Sequence, residues 1–265
     1  MKSQTKANLL RALALCAGAA GFLLRFLLYT EGMDEKGLLI TGHWSAVSLW
    51  IFTGVILLAF FLATRSLSGP EAYEDSFPGS PLRALGALLG AVGFALLAFR
   101  GLRSAASGLE FISLLLNILA ALCLSAIAMC RLLRRKPFFL LHAGVCLAFA
   151  LMMICRYRSW NSEPQVHNYC FYMAACVCLM LSSYQLAAFD AGIGSHGALW
   201  FWGLSAACLC LLASYGSKGN LPVFFWGIWA FTNLSNLTVQ PRRQRKQLDY
   251  SGNTPETPDR GEPSC

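Results

Sequence analysis

Apolar residues in this chain run in long blocks, and charged residues gather in short clusters between them. Eight charge-free runs, at 12–24, 37–64, 84–99, 111–130, 137–155, 164–189, 191–217 and 219–241, are between 13 and 28 residues long. Crossing a bilayer takes about 20 mostly apolar residues at about 1.5 Å rise each. The pattern predicts an all-α, polytopic helical membrane protein with eight transmembrane helices. They fall near 9–29, 43–64, 82–100, 110–130, 137–156, 165–189, 197–216 and 221–239. On this reading 1–246 is a single transmembrane domain, and 247–265, polar, aperiodic and proline-containing, is a disordered cytoplasmic tail.

The first and third runs are short, and their arginines rescue them. Arg11 and Arg25 stand about 21 Å apart along a helix, so they can snorkel to opposite faces of a hydrocarbon layer about 30 Å thick. Arg83 and Arg100 flank the third span in the same way. The first stretch also resembles a signal peptide, with Lys2, Lys6 and Arg11 ahead of the small-residue run AGAAG. Its apolar character continues through Gly21-Phe-Leu-Leu, so an uncleaved first span is expected. The alternative is seven spans, with the first stretch lying on the membrane.

Composition agrees: 56% of residues are apolar and 13% charged, against roughly 25% charged in a water-soluble domain. With the N-terminus inside, the inner segments hold 14 of the 21 basic residues. Translocating Lys and Arg is unfavourable, so both termini are expected in the cytoplasm. Much of the net charge of +8 traces to two juxtamembrane clusters, Arg131, Arg134, Arg135, Lys136 and Arg242, Arg243, Arg245, Lys246. Both are expected to contact membrane lipids through anionic head groups. No basic patch interleaved with aromatics lies in a soluble segment, so nucleic acid is not an expected partner.

Ten of the eleven cysteines lie in predicted spans. Cys176 and Cys178, like Cys208 and Cys210, are two apart and point about 200° from each other on a helix. They read as small apolar packing groups, and no metal site is expected. Gly86, Gly90 and Gly93 form a close-packing helix face. Gly203-Leu-Ser205 resembles the start of an intramembrane serine protease motif, but the following span holds no histidine to act as base. No catalytic set is recognised. His43 and His167 open spans on the outer face, whereas His142 and His196 lie near the inner face. Such pairs could ligate haem only by meeting across helices, and histidine at a span boundary is ordinarily an interface residue, so no cofactor is expected.

Polar side chains within or beside the bilayer are costly and point to function. In span six, His167, Phe171, Ala174, Cys178, Ser182, Gln185 and Phe189 form one helical stripe. Ser182, Gln185, Asn233 and Asn236 fall in the same inner half and are candidates for a polar path. Arg156, Glu163, His167, Arg25 and His43 gather outside as a candidate polar site. Pro164 is well tolerated in a first helical turn, which places Glu163 at a helix N-terminus with His167 one turn on and Arg156 across a short connection. The plainer reading of these groups is capping, interfacial anchoring and interhelical hydrogen bonds, worth about 0.6 kcal/mol each.

Spans one and five each end in an arginine followed four positions later by an aromatic and then by a glutamate, and His43 and His167 open the next spans. This hints at a 4+4 parallel repeat, with chance similarity as its competitor. The segment 156–192, with Glu163-Pro-Gln165 before a span and Ala187-Ala-Phe-Asp190-Ala-Gly192 after it, resembles a set of uncharacterised multi-pass membrane proteins of anaerobic gut Clostridia. That resemblance implies a bacterial cytoplasmic membrane and assigns no chemistry. A small-solute permease is the first functional expectation, and a non-catalytic subunit or sensor of a larger membrane complex is the alternative. An intramembrane enzyme comes third.

Overall fold

The computed structural model describes residues 2–34, 39–40, 42–67, 80–104, 108–160, 169–216, 220–235 and 237. Among them lie eight helices: α1 (Lys2–Glu31), α2 (Trp44–Thr64), α3 (Pro81–Ser104), α4 (Gly108–Leu132), α5 (Phe139–Trp160), α6 (Cys170–Asp190), α7 (His196–Ser214) and α8 (Leu221–Ser235). Each predicted span corresponds to one helix. The largest difference is at the start of α1, helical from Lys2 rather than Leu9. Its extra turns are held by Lys6, which donates to the Ser66 hydroxyl just past the end of α2.

Helices α1 to α7 are long and apolar enough to cross a membrane, so the chain has the build of a multi-pass membrane protein. Helix α8 is shorter than expected, because its 15 residues rise only about 22 Å. Its last turn is closed by hydrogen bonds. The Thr232 and Ser235 hydroxyls donate to the carbonyls of Trp229 and Thr232. From α1, the Arg11 guanidinium donates to the Leu234 carbonyl at 3.0 and 2.6 Å. A cation there also complements the negative end of the helix macrodipole. The same guanidinium lies 5.0 Å from the Trp200 ring centroid, so a half-buried arginine ties α1 to α7 and α8 together.

Six helices close a ring in the order α3, α4, α5, α6, α7, α8, with α8 back against α3. Helix α1 packs outside α7, and α2 lies against both α1 and α7. The two halves of the chain do not pack alike: α6 lies on α7, whereas no comparable packing joins the equivalent pair α2 and α3 among the described residues. Aromatic rings fill the ring of helices. Trp226 of α8 meets Phe94 of α3 at 4.7 Å, Phe149 of α5 at 5.2 Å and Tyr172 of α6 at 6.5 Å between centroids. Trp229 stacks on Phe149 at 6.4 Å.

Within lipid, helices gain little from burying apolar groups against one another, and close packing takes over. The glycines of α3 supply it. A Cβ at Gly86 would lie 1.8 Å from the Thr232 Oγ1 atom, and one at Gly93 would lie 3.0 Å from the Pro222 carbonyl oxygen. Gly90 faces Trp229 in the same seam, so the expected close-packing face is the α3–α8 contact. Gly18 and Gly21, from the run that resembles a signal peptide, instead admit Leu211 and Leu212 of α7. All four cysteines at 176, 178, 208 and 210 are buried, and Gly227 makes room for Cys210.

Candidate functional site

Of the residues expected at the outer face, Arg25, His43 and Arg156 are described, near the end of the bundle away from the start of α1, and they divide. Arg25 is 1% exposed, with its guanidinium 5.7 Å from the Tyr29 ring centroid and 5.4 Å from that of Phe171. Next to it, Tyr215 meets Phe22, Phe26 and Tyr29 in T-shaped pairs, at 5.4, 5.4 and 5.6 Å between centroids. Aromatic faces thus accommodate the arginine in an apolar setting. His43 has a local duty: its Nδ1 lies 2.7 Å from the Ser45 hydroxyl and accepts from the Ser45 amide, capping α2. Arg156 is half-buried near the end of α5, close enough to Tyr172 for its charge to act there. Glu163 and His167 lie outside the described residues, and so does the expected pairing of Glu163 with Arg156.

The residues expected in the inner half also divide. Ser182 is buried on α6. Gln185 is committed to the α6–α7 turn, where its Oε1 accepts from the Ser195 amide at 3.4 Å. Asn233 is 1% exposed within α8, and neither its amide oxygen nor its amide nitrogen has a hydrogen-bond partner. Ser205 of α7, fully buried, likewise keeps a hydroxyl without a partner. Asn236 lies outside the described residues.

A second constellation sits at the end of the bundle where α1 begins. There α4 and α6 finish, and α3 and α5 start. His142, in the first turn of α5, places Nδ1 2.5 Å from the Asp190 Oδ2 atom at the last position of α6. Its other nitrogen, Nε2, lies 3.4 Å from the Nη2 atom of Arg131 near the end of α4. Arg131 also donates through Nη1 to the Arg83 carbonyl in the first turn of α3, at 3.1 Å. All four residues are buried.

The hydrogen-bond chemistry assigns the protons. A guanidinium has no acceptor, so the Arg131 contact requires a bare Nε2, and the hydrogen of a neutral imidazole then rests on Nδ1 and points at the carboxylate. Helix ends favour the same assignment. The first turn of α5 disfavours a cationic imidazole, and the last turn of α4 favours Arg131. The end of α6 disfavours Asp190, and the His142 N–H is the group that faces its Oδ2 atom. The Asp190 Oδ1 atom is buried and has no hydrogen-bond partner. The turn that places this carboxylate is a helix C-cap. Gly192 adopts φ +83°, and the Ile193 and Gly192 amides return to the carbonyls of Ala188 and Phe189. The tail of AAFDAG is therefore a stop signal that leaves its aspartate facing inward.

Within the first basic cluster Arg131 is buried against α5, while Arg134, Arg135 and Lys136 are exposed. His142 is likewise buried, with a partner at each ring nitrogen. The cue was present in the sequence, because Asp190 is the single charged residue between Glu163 and Lys218. Among the described residues no group of three or more His, Cys, Asp or Glu side chains is placed to hold a metal ion. Comparison with protein-family models, curated proteins and solved structures finds no match to this chain.

Proposed function

We propose that this chain is an eight-span membrane carrier for a small solute, with both termini on the cytoplasmic side. The observation that carries the reading is the Asn233 amide, buried in α8 with both polar atoms unpartnered. Burying an amide away from any partner costs roughly 2–7 kcal/mol, so such a group is expected where a bound molecule completes it. The unpartnered Ser205 hydroxyl on neighbouring α7 fits the same use. The eighth crossing needs the chain past α8 as well, and the apolar run does continue to residue 241.

Purified protein should be stabilised against heat by some small solute in a broad metabolite screen, and Asn233→Ala should weaken that stabilisation. Gln185→Ala should alter the α6–α7 turn without removing the response. A screen with no stabilising solute, or equal stabilisation of the Asn233→Ala variant, would overturn the reading. For the topology, an alkaline phosphatase fusion after Lys246 should be inactive, and an active fusion rules out a cytoplasmic C-terminus.

A further inference from the structure

We propose that His142 is a proton-binding site at which a proton and the Arg131 guanidinium compete for the same lone pair, that of Nε2. Its role as the coupling ion for a carrier rests on the reading above; the competition itself rests on the four-residue geometry. In the structure Nε2 is the acceptor for Arg131 Nη2 at 3.4 Å, and Nδ1 faces Asp190 at 2.5 Å. A proton arriving from water must bind Nε2, because Nδ1 already carries the hydrogen given to Asp190. Once bound, it removes the acceptor and sets an imidazolium against a guanidinium at that distance. The Arg131 contact with His142 must then break, while the bond from Nδ1 to Asp190 becomes a charged pair and tightens.

The groups around the imidazole make this a two-state element. Helix α5 packs on α4 and α6. From α4 comes Arg131, from α6 comes Asp190, and the Arg83 charge of α3 also acts on His142. Burial of the imidazole opposes the proton most, the two like charges oppose it further and one carboxylate favours it, so the position of Arg131 sets how strongly the buried site resists the proton. Arg131 is also hydrogen-bonded to the Arg83 carbonyl, so releasing it loosens the starts of α3 and α5 from the end of α4 together. The unpartnered Asp190 Oδ1 atom offers the displaced guanidinium, or a water that delivers the proton, a second place to bond. Linkage makes the effect reciprocal: anything that draws Arg131 away raises the proton affinity of His142 by the same factor.

Nitrogen-15 NMR of the full chain in lipid nanodiscs, labelled at histidine, tests this directly. His142→Gln assigns the signal. In the wild type at high pH the expected tautomer carries hydrogen on Nδ1 and none on Nε2, and acidification should protonate Nε2. Arg131→Gln should raise the midpoint of that titration by about one pH unit or more, since a competing cation is removed. Asp190→Asn should lower it. A wild-type Nε2–H tautomer at high pH would overturn the proposal, as would an Arg131→Gln midpoint equal to that of the wild type. An imidazole that titrates nowhere between about pH 4 and 9 would overturn it too. The tautomer measurement needs no variant, and Arg131→Lys stands in if Arg131→Gln fails to fold, with a smaller rise expected. None of these readouts involves a solute. A ligand found through Asn233 with a non-titrating His142 retires the proton site and leaves the carrier. A titrating His142 with no ligand in the screen does the reverse.

Discussion

Replacing Asp190 by alanine is expected to be among the most damaging single changes in this protein. The carboxylate is buried at the end of α6, where it faces the His142 N–H, and His142 in turn meets the buried Arg131. Removing one member of a buried charged set leaves the others uncompensated, at a cost of about 3–5 kcal/mol in water-soluble proteins. The α6 C-terminus gains slightly, because a carboxylate at that end opposes the macrodipole, but that effect is worth only about 0.3–1 kcal/mol. The loss wins. Thermal unfolding followed by size-exclusion fluorescence should show a much lower midpoint for Asp190→Ala, or too little folded protein to measure. Adding Arg131→Leu should recover part of the loss, since it removes one of the stranded cations. A midpoint for Asp190→Ala equal to that of the wild type would mean that the carboxylate does not balance the cluster.

The second large effect is expected at the α3–α8 seam. A side chain at Gly86 would place its Cβ 1.8 Å from the Thr232 Oγ1 atom and 2.7 Å from the Thr232 Cβ atom. Turning the threonine hydroxyl relieves the first contact and not the second, so the helices must separate. Overpacking typically costs about 1–3 kcal/mol, and Gly86→Val should exceed Gly86→Ala within or above that range. The damage should spread, because Gly90 and Gly93 meet Trp229 and Trp226, which fill the ring of helices. Thr232→Gly should rescue Gly86→Ala, giving a coupling energy of about 0.5–3 kcal/mol in a double-mutant cycle of thermal midpoints. Additive losses would separate Gly86 from Thr232 and refute the seam.

The lengths of the apolar runs and the charges between them were enough to place all eight helices, because 1.5 Å of rise per residue against a fixed bilayer thickness leaves little freedom. Helix-face periodicity was equally legible, and the glycines at 86, 90 and 93 could be read as a packing surface. Their partner could not. Spacing along one helix says which side chains share a face, but the closing of α3 on α8 brings Gly86 to Thr232, far apart along the chain. The polar residues show the same division. His43 could be seen to open a helix, and it caps α2. Arg131 carried topological weight as one member of a basic cluster, yet its burial depends on His142 arriving from α5 and Arg83 from α3. Asp190 stood alone in a charge-free stretch, which marked it as costly. What it is paired with, and therefore which nitrogen of His142 is left for a proton, follows from how α4, α5 and α6 assemble. Charge and hydrophobicity are properties of single positions and survive in the sequence. Hydrogen-bond partners and the cancellation of buried charge belong to pairs, and tertiary packing alone chooses the pairs.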